Sequence, residues 1–178
     1  SLNRRSLECY GGQTVRTPNF LRLAQRCITF DNHYVGSLPC MPARRDMHTG
    51  RLSFLHRSWG PLEPFDNSFA EILHKRGVYS HLVSDHYHYW EDGGATYHNR
   101  YDTFEFVRGQ ERDPWKAMVE PPWERFRDQY HRVQFSRQRR HKFAQYMINR
   151  EFIRDYADFP SVRCFDHGLD FLDRNRSA

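Results

Sequence analysis

Apolar positions recur at helical spacing in several stretches of the chain and gather into short runs between them. Phe20, Leu21, Leu23, Ala24 and Cys27 follow Thr17-Pro18, which reads as an N-cap with proline at the first helical position, so a short helix is predicted there. Ile28, Phe30 and Val35 predict a strand next, and Gly36 to Pro42 a loop. A helix is expected to open at Pro42 and run to about His48, with Thr49-Gly50 as its stop. Pro61 and Pro64 make 59–67 an extended connection. Ser68 and Glu71 form a capping-box pattern before a helix with Phe69, Ile72 and Leu73 on its apolar face. Gly77 ends that helix, and Val78 to Ser84 reads as a buried strand. From Asp85 to Gln110 the chain is dense in His, Tyr and Trp without period, which predicts loops. Residues 124–157 read as mostly helical. Cys164 to Asn175 reads as a last amphipathic helix with Phe165, Leu169 and Leu172 on one side and Cys164 as a small buried hydrophobe, as is Cys27.

This alternation predicts an α/β fold, a mixed or mostly parallel sheet flanked by helices. The 178 residues suffice for one domain with a core and not for two. Hydrophobic residues are only 38% and the mean hydropathy is −0.90, though 16% aromatic residues restore buriable area. The low hydropathy, the lack of an initiator Met and an opening inside a motif lead us to expect residues 1–178 to be the N-terminal part of a single larger domain, truncated at both ends.

Charge changes the picture locally. Arg125, Arg127, Arg132, Arg137, Arg139, Arg140 and Lys142 face only Glu124 and Asp128 between positions 124 and 142, an excess equal to the whole chain's +5. Such a run reads first as a solvated helical face, and second as a site for an anionic polymer. Nucleic acid is not the expected partner. Cys9, Cys27, Cys40 and Cys164 contain no C-x-x-C pair, so neither a zinc ribbon nor a dithiol redox site is indicated. No apolar run approaches membrane-spanning length, and no membrane partner is expected. No leader pattern opens the chain, which tips the expectation towards the cytoplasm.

Cys40-Met41-Pro42-Ala43-Arg44-Arg45-Asp46-Met47-His48-Thr49-Gly50-Arg51 carries the chemistry. It resembles the sulfatase signature: Cys or Ser, any residue, Pro, a small residue and Arg, with Thr-Gly-Arg five residues on. His48 departs from the usual Leu. The preceding Cys9-Tyr10-Gly11-Gly12 and Thr17-Pro18-Asn19-Phe20-Leu21-Arg22-Leu23-Ala24 also resemble that family's run into its nucleophile. The likeness is good from residue 1 to about 90 and looser beyond.

The resemblance implies an alkaline-phosphatase-like fold and sulfate ester hydrolysis. Cys40 would be oxidised by a formylglycine-generating maturation enzyme to formylglycine, whose hydrate is a geminal diol. One hydroxyl attacks sulfur, and the other collapses back to the aldehyde and expels sulfate. A nucleophile at a helix N-terminus has free N–H groups and a favourable dipole for anionic oxygens, and Arg44 would stabilise the alkoxide. The family commonly places Lys-x-His after the next strand. Asp85-His86-Tyr87-His88 stands there, which implies a catalytic His88 and a substrate-binding His86 in the Lys position, cationic only below its pKa. His98 has no motif behind it and reads as structural; His86, His88 and His98 together are an alternative transition-metal set. The family also implies calcium or another divalent cation, with position 40 as one ligand and Ser1 at or beside another. Since calcium wants six to eight oxygens and few stand in recognisable positions, weak metal binding is expected. The expected substrate is a small-molecule or carbohydrate sulfate ester. A phosphonate or phosphate ester, and a non-catalytic role on an anionic polymer, are the rivals. The aromatic loop Tyr87 to Tyr101 is equally suited to stacking on a leaving group and to plain packing.

Overall fold

The computed structural model describes residues 2–93, 96–136 and 144–177. The chain divides into two compact units, Ser1–Val35 and Gly36–Ala178.

In the first unit, Asn3 caps a 3-10 turn at Arg4–Ser6 by accepting the Arg5 N–H at 3.0 Å. A second turn, Glu8–Tyr10, stops at Gly11, whose φ of 81° is open to glycine at no steric cost. Helix α1, Pro18–Ala24, has its proline in the first turn as expected, but Thr17 does not cap it. The Thr17 hydroxyl instead accepts the Glu8 N–H at 2.9 Å, while the Thr17 N–H donates to the Glu8 carboxylate. The strand expected from Ile28 to Val35 does not form, and Ile28, Phe30 and Val35 are exposed. β-branched residues make a strand only where a neighbour completes the ladder, and none does here. Cys27, expected to be buried, is exposed as well.

The second unit holds helix α2 (Cys40–Thr49), α3 (Phe69–His74), strand β1 (His81–Ser84), β2 (Thr103–Phe106), α4 (Trp123–Gln129), α5 (Val133–Ser136), α6 (Gln145–Glu151) and α7 (Pro160–Arg174). β1 and β2 pair in parallel, His81 opposite Thr103 and Ser84 opposite Phe106. Parallel strands need a crossover, and the Asp85–Gln110 segment read as loop contains both that crossover and β2 itself. Its aromatic, non-alternating sequence hides the strand: Trp90 stacks on Phe106 at 3.9 Å and on His98 at 4.7 Å.

Helix α7 packs on β1, but by a face other than the one its apolar spacing predicts. Phe171 stacks on the His81 ring at 4.5 Å, and His167 pairs with Glu105 of β2. Phe165, Leu169 and Leu172 are exposed, and Cys164 is half-buried, its thiol pushed up to about 12 mainly by burial. The 124–157 segment is helical in three short pieces, with residues 137–143 outside the described residues.

Helix α2 is fixed from beneath by one arginine. Arg45 is 4% exposed and its guanidinium donates to Asp66 at 2.6 Å and Glu63 at 3.0 Å. Asp66, equally buried, also accepts the Glu63 N–H at 2.8 Å. Glu63 gathers His56 at 2.9 Å and Arg57 at 2.5 Å. The next turn adds His48, buried against Phe69, Tyr97 and Tyr101, with Nδ1 sharing a hydrogen bond with the Ser68 hydroxyl at 2.9 Å. The capping box expected of Ser68 and Glu71 is therefore absent: Ser68 serves His48, and Glu71 accepts from Arg100 at 2.6 Å. The fully buried Ser68 hydroxyl gains more from a buried partner than an exposed cap offers. Met41, Leu62, Tyr89 and Tyr97 form the core over this helix, with Cys40, Leu82 and Trp90 packed against them. A second cluster, Phe126, Ala144, Met147 and Ile148, lies under α4 and α6.

Breaking a buried pair strands a charge, so Asp66→Ala is expected to cost about 3–5 kcal/mol in a urea unfolding titration. A loss below 1 kcal/mol would show that Arg45 does not pin α2.

Candidate active site

Cys40 is the first residue of α2, two positions earlier than the expected start at Pro42. Pro42 brings no N–H, and the Ala43 N–H is taken by the Pro39 carbonyl at 3.2 Å. Among the described residues this leaves the N–H groups of Cys40 and Met41 without a protein acceptor, so the helix start offers donors to an anionic oxygen. Gly50, at φ 67°, closes the helix.

The other half of the site comes off the end of β1. The Ser84 hydroxyl accepts the His86 N–H at 3.1 Å, and a 3-10 turn at Tyr87–Tyr89 follows. This brings a ligand atom from each of Cys40, His86 and His88 within 4.8 Å of one another, with both histidines buried. Three of the four residues singled out in the sequence thus converge. The fourth, Arg44, donates to the Tyr89 hydroxyl at 2.8 Å with its guanidinium 5.1 Å from the Tyr89 ring centre. Its charge reaches His86: burial first, then Arg44 and His88, hold the His86 imidazole down to about 3. His86 is therefore neutral at ordinary pH and supplies no positive charge. His88 has its Nδ1 bonded to the Glu91 carboxylate at 2.5 Å, which fixes its ring and leaves Nε2 on the open side, 4.0 Å from Glu111.

His98 does not join this group. It stacks on Trp90 and packs edge-on against Phe104, and burial lowers its pKa. The metal set His86/His88/His98 is thus corrected to Cys40/His86/His88, the one cluster of three or more His, Cys, Asp or Glu donors found among the described residues. Calcium takes six to eight oxygens. Of the calcium contributors that the resemblance implies, Cys40 alone is among the described residues, and the nitrogen donors His86 and His88 beside it do not suit that ion. Ser1, the other expected contributor, lies outside the described residues.

Sequence reasoning missed Tyr89 and Glu91, which hold Arg44 and His88. Glu91 stands three residues after His88, just past the 3-10 turn that ends at Tyr89. A cleft of about 730 Å³ is lined among others by Tyr87, Trp90, Glu91, Phe106 and Arg108, and by none of Cys40, Arg44, His86 and His88. The basic run is only partly visible: Arg125 pairs with Glu151, while Arg137, Arg139, Arg140 and Lys142 lie outside the described residues.

A parallel strand pair with helix α7 packed on β1 makes the second unit α/β, and Cys40, His86 and His88 meet where α2 begins and β1 ends. A sequence profile described as Sulfatase matches residues 1–169, and the chain belongs to the sulfatase family, whose fold is α/β of the alkaline-phosphatase-like type. It is 32% identical over 101 residues to human arylsulfatase D, and 29% identical over 89 residues to N-acetylglucosamine-6-O-sulfatase of Bacteroides thetaiotaomicron. These stretches cover 49% and 45% of this chain, and 16% of each relative. Human iduronate 2-sulfatase is 42% identical over 48 residues, 27% of this chain and 9% of the relative. The chain thus spans a small part of the length of the curated relatives it matches. No solved structure matches it.

His48 carries a pH consequence. Burial first, then Arg44 and Arg100, hold it down to about 4 from an unfolded value near 6.5. Between those values the unfolded chain binds a proton that the folded chain refuses, so stability is full above pH 6.5 and falls as pH drops. His48 alone is expected to remove about 2 kcal/mol between pH 6.5 and 5. His48→Leu should be less stable at pH 8, with Ser68 unpartnered, yet show a shallower loss towards pH 5. Parallel slopes in urea titrations of the two proteins would refute this.

Proposed function

We propose that the protein to which this chain contributes is a sulfuric ester hydrolase whose nucleophile is a formylglycine made from Cys40. The observation that carries the reading is the meeting of Cys40 with His86 and His88 at the free N–H groups of α2. Maturation is a two-electron oxidation in which the Cβ–S bond of Cys40 breaks, sulfur leaves as hydrogen sulfide and an oxygen takes its place as the aldehyde, so it needs a maturation enzyme with dioxygen as electron acceptor. In the hydrated form one hydroxyl oxygen bonds to sulfur while the sulfur–oxygen bond to the alcohol breaks, and the alcohol leaves with a proton. The second hydroxyl then loses its proton, the aldehyde re-forms, and sulfate departs.

Each residue has a stated task. The N–H groups of Cys40 and Met41 hold the anionic oxygens. Arg44, kept in place by Tyr89, supplies positive charge beside His86. His88, which donates Nδ1–H to Glu91, turns its Nε2 lone pair to a hydroxyl of the hydrated position 40. His86 offers a neutral imidazole. That favours a sulfate monoester, with one negative charge, over a phosphate monoester, which carries nearly two at neutral pH. The sugar in the name of the Bacteroides relative supports a sulfated carbohydrate as substrate.

Expression of the intact parent protein with a formylglycine-generating enzyme, followed by mass spectrometry of the Cys40 peptide and an aryl sulfate assay, tests this. Aldehyde at position 40 is expected, and Cys40→Ala should lose at least roughly a thousandfold in kcat. Full activity with an intact thiol would overturn the reading, as would undiminished activity in Cys40→Ala.

A further inference from the structure

The donors gathered at position 40 are the wrong kind for calcium and the right kind for a softer ion. We propose that in its thiol form this chain binds one zinc ion through Cys40, His86 and His88, with a fourth position open to water or to Glu111.

Thiolate and neutral imidazole are zinc's preferred partners, and three protein ligands with one open position is a common zinc arrangement. Tetrahedral zinc, with Zn–N about 2.0 Å and Zn–S about 2.3 Å, sets its donors roughly 3.3–3.6 Å apart. The ligand atoms already lie within 4.8 Å of one another, so closure needs about 1 Å of side-chain rotation. Two further observations point to a ligand. His86 is 7% exposed, and its Nε2 is buried without a hydrogen-bond partner, a vacancy that a protein fold rarely leaves. His88 donates Nδ1–H to Glu91, the carboxylate–histidine arrangement that fixes the tautomer and turns the Nε2 lone pair towards a metal. The Glu111 carboxylate, 4.0 Å from that Nε2, is placed to approach the fourth position. On binding, the thiol gives up its proton to solvent as the sulfur–zinc bond forms. No oxidant is needed.

The inference requires only the thiol and does not rest on ester hydrolysis. It concerns the protein before conversion, since an aldehyde at position 40 has no thiolate to offer.

The full chain, with Cys40 shown by mass to be a thiol, is titrated with cobalt(II) as an optical stand-in for zinc, and zinc is then added to displace it. One equivalent should bind with a sulfur-to-cobalt charge-transfer band. Cys40→Ser should abolish that band, and His86→Lys should lose it while keeping the circular dichroism of the parent. Glu91→Gln, acting through His88, should weaken binding about 10–100-fold, whereas exposed Cys27→Ser should leave it unchanged. Should Cys40→Ser fail to fold, the wild-type chain decides: zinc must slow alkylation of Cys40 and leave that of Cys27 unaltered. Retention of the band in Cys40→Ser, wild-type affinity in folded His86→Lys, or no protection of Cys40 would each overturn the site. Because the readouts are metal binding and thiol protection, the ester-hydrolysis reading stands or falls separately.

Discussion

Everything at the site depends on the buried ion pair of Arg45 with Asp66. Helix α2 places Cys40 at its start, and a ten-residue helix has little stability of its own. What holds it is a desolvated guanidinium gripped by two carboxylates, with His48 one turn on packed among three aromatic rings. A charge buried this way gives less net stability than a hydrophobic residue of similar size would, but it tolerates few alternative geometries. The adjacent Arg44 emerges on the other side of the same turn. Successive helical residues point about 100° apart, so two neighbouring arginines are assigned opposite tasks, one to the interior and one to the site.

The α/β class and the family were legible in the sequence, the first from the alternation of elements and the second from residue types at fixed offsets around Cys40. Of the residues singled out there for chemistry, the structure brings Cys40, His86 and His88 together. What failed were the expectations that rested on local signals alone. The Ser68/Glu71 box reads correctly as a local pattern, yet both side chains have stronger partners far along the chain in His48 and Arg100. Strand β2 was missed because its residues are recruited by stacking on Trp90 and His98, which no period reveals. The stripe of Phe165, Leu169 and Leu172 has clean helical spacing, but the sheet takes Phe171 and His167 instead. Amphipathic spacing shows that a helix has an apolar face, not what covers it.

The histidine at position 86 behaves differently from what the sequence alone suggests. A surface histidine would switch its charge near neutral pH. Buried beside Arg44, this one stays neutral, because a second positive charge in a dry site costs more than the proton's affinity returns. The site therefore combines one strong cation with neutral donors and lone pairs. That balance suits the singly charged ester proposed for the formylglycine form and the borderline metal proposed for the thiol form. The two readings draw on the same atoms for different physical reasons.

The Trp90 indole, stacked on both Phe106 and His98, is locked before anything enters the cleft it lines. Immobilising a free side chain on association costs about 0.5–1.5 kcal/mol. Here folding has already met that cost, so whatever entered the cleft would meet a rigid wall, and the entropy lost would be almost entirely the guest's own.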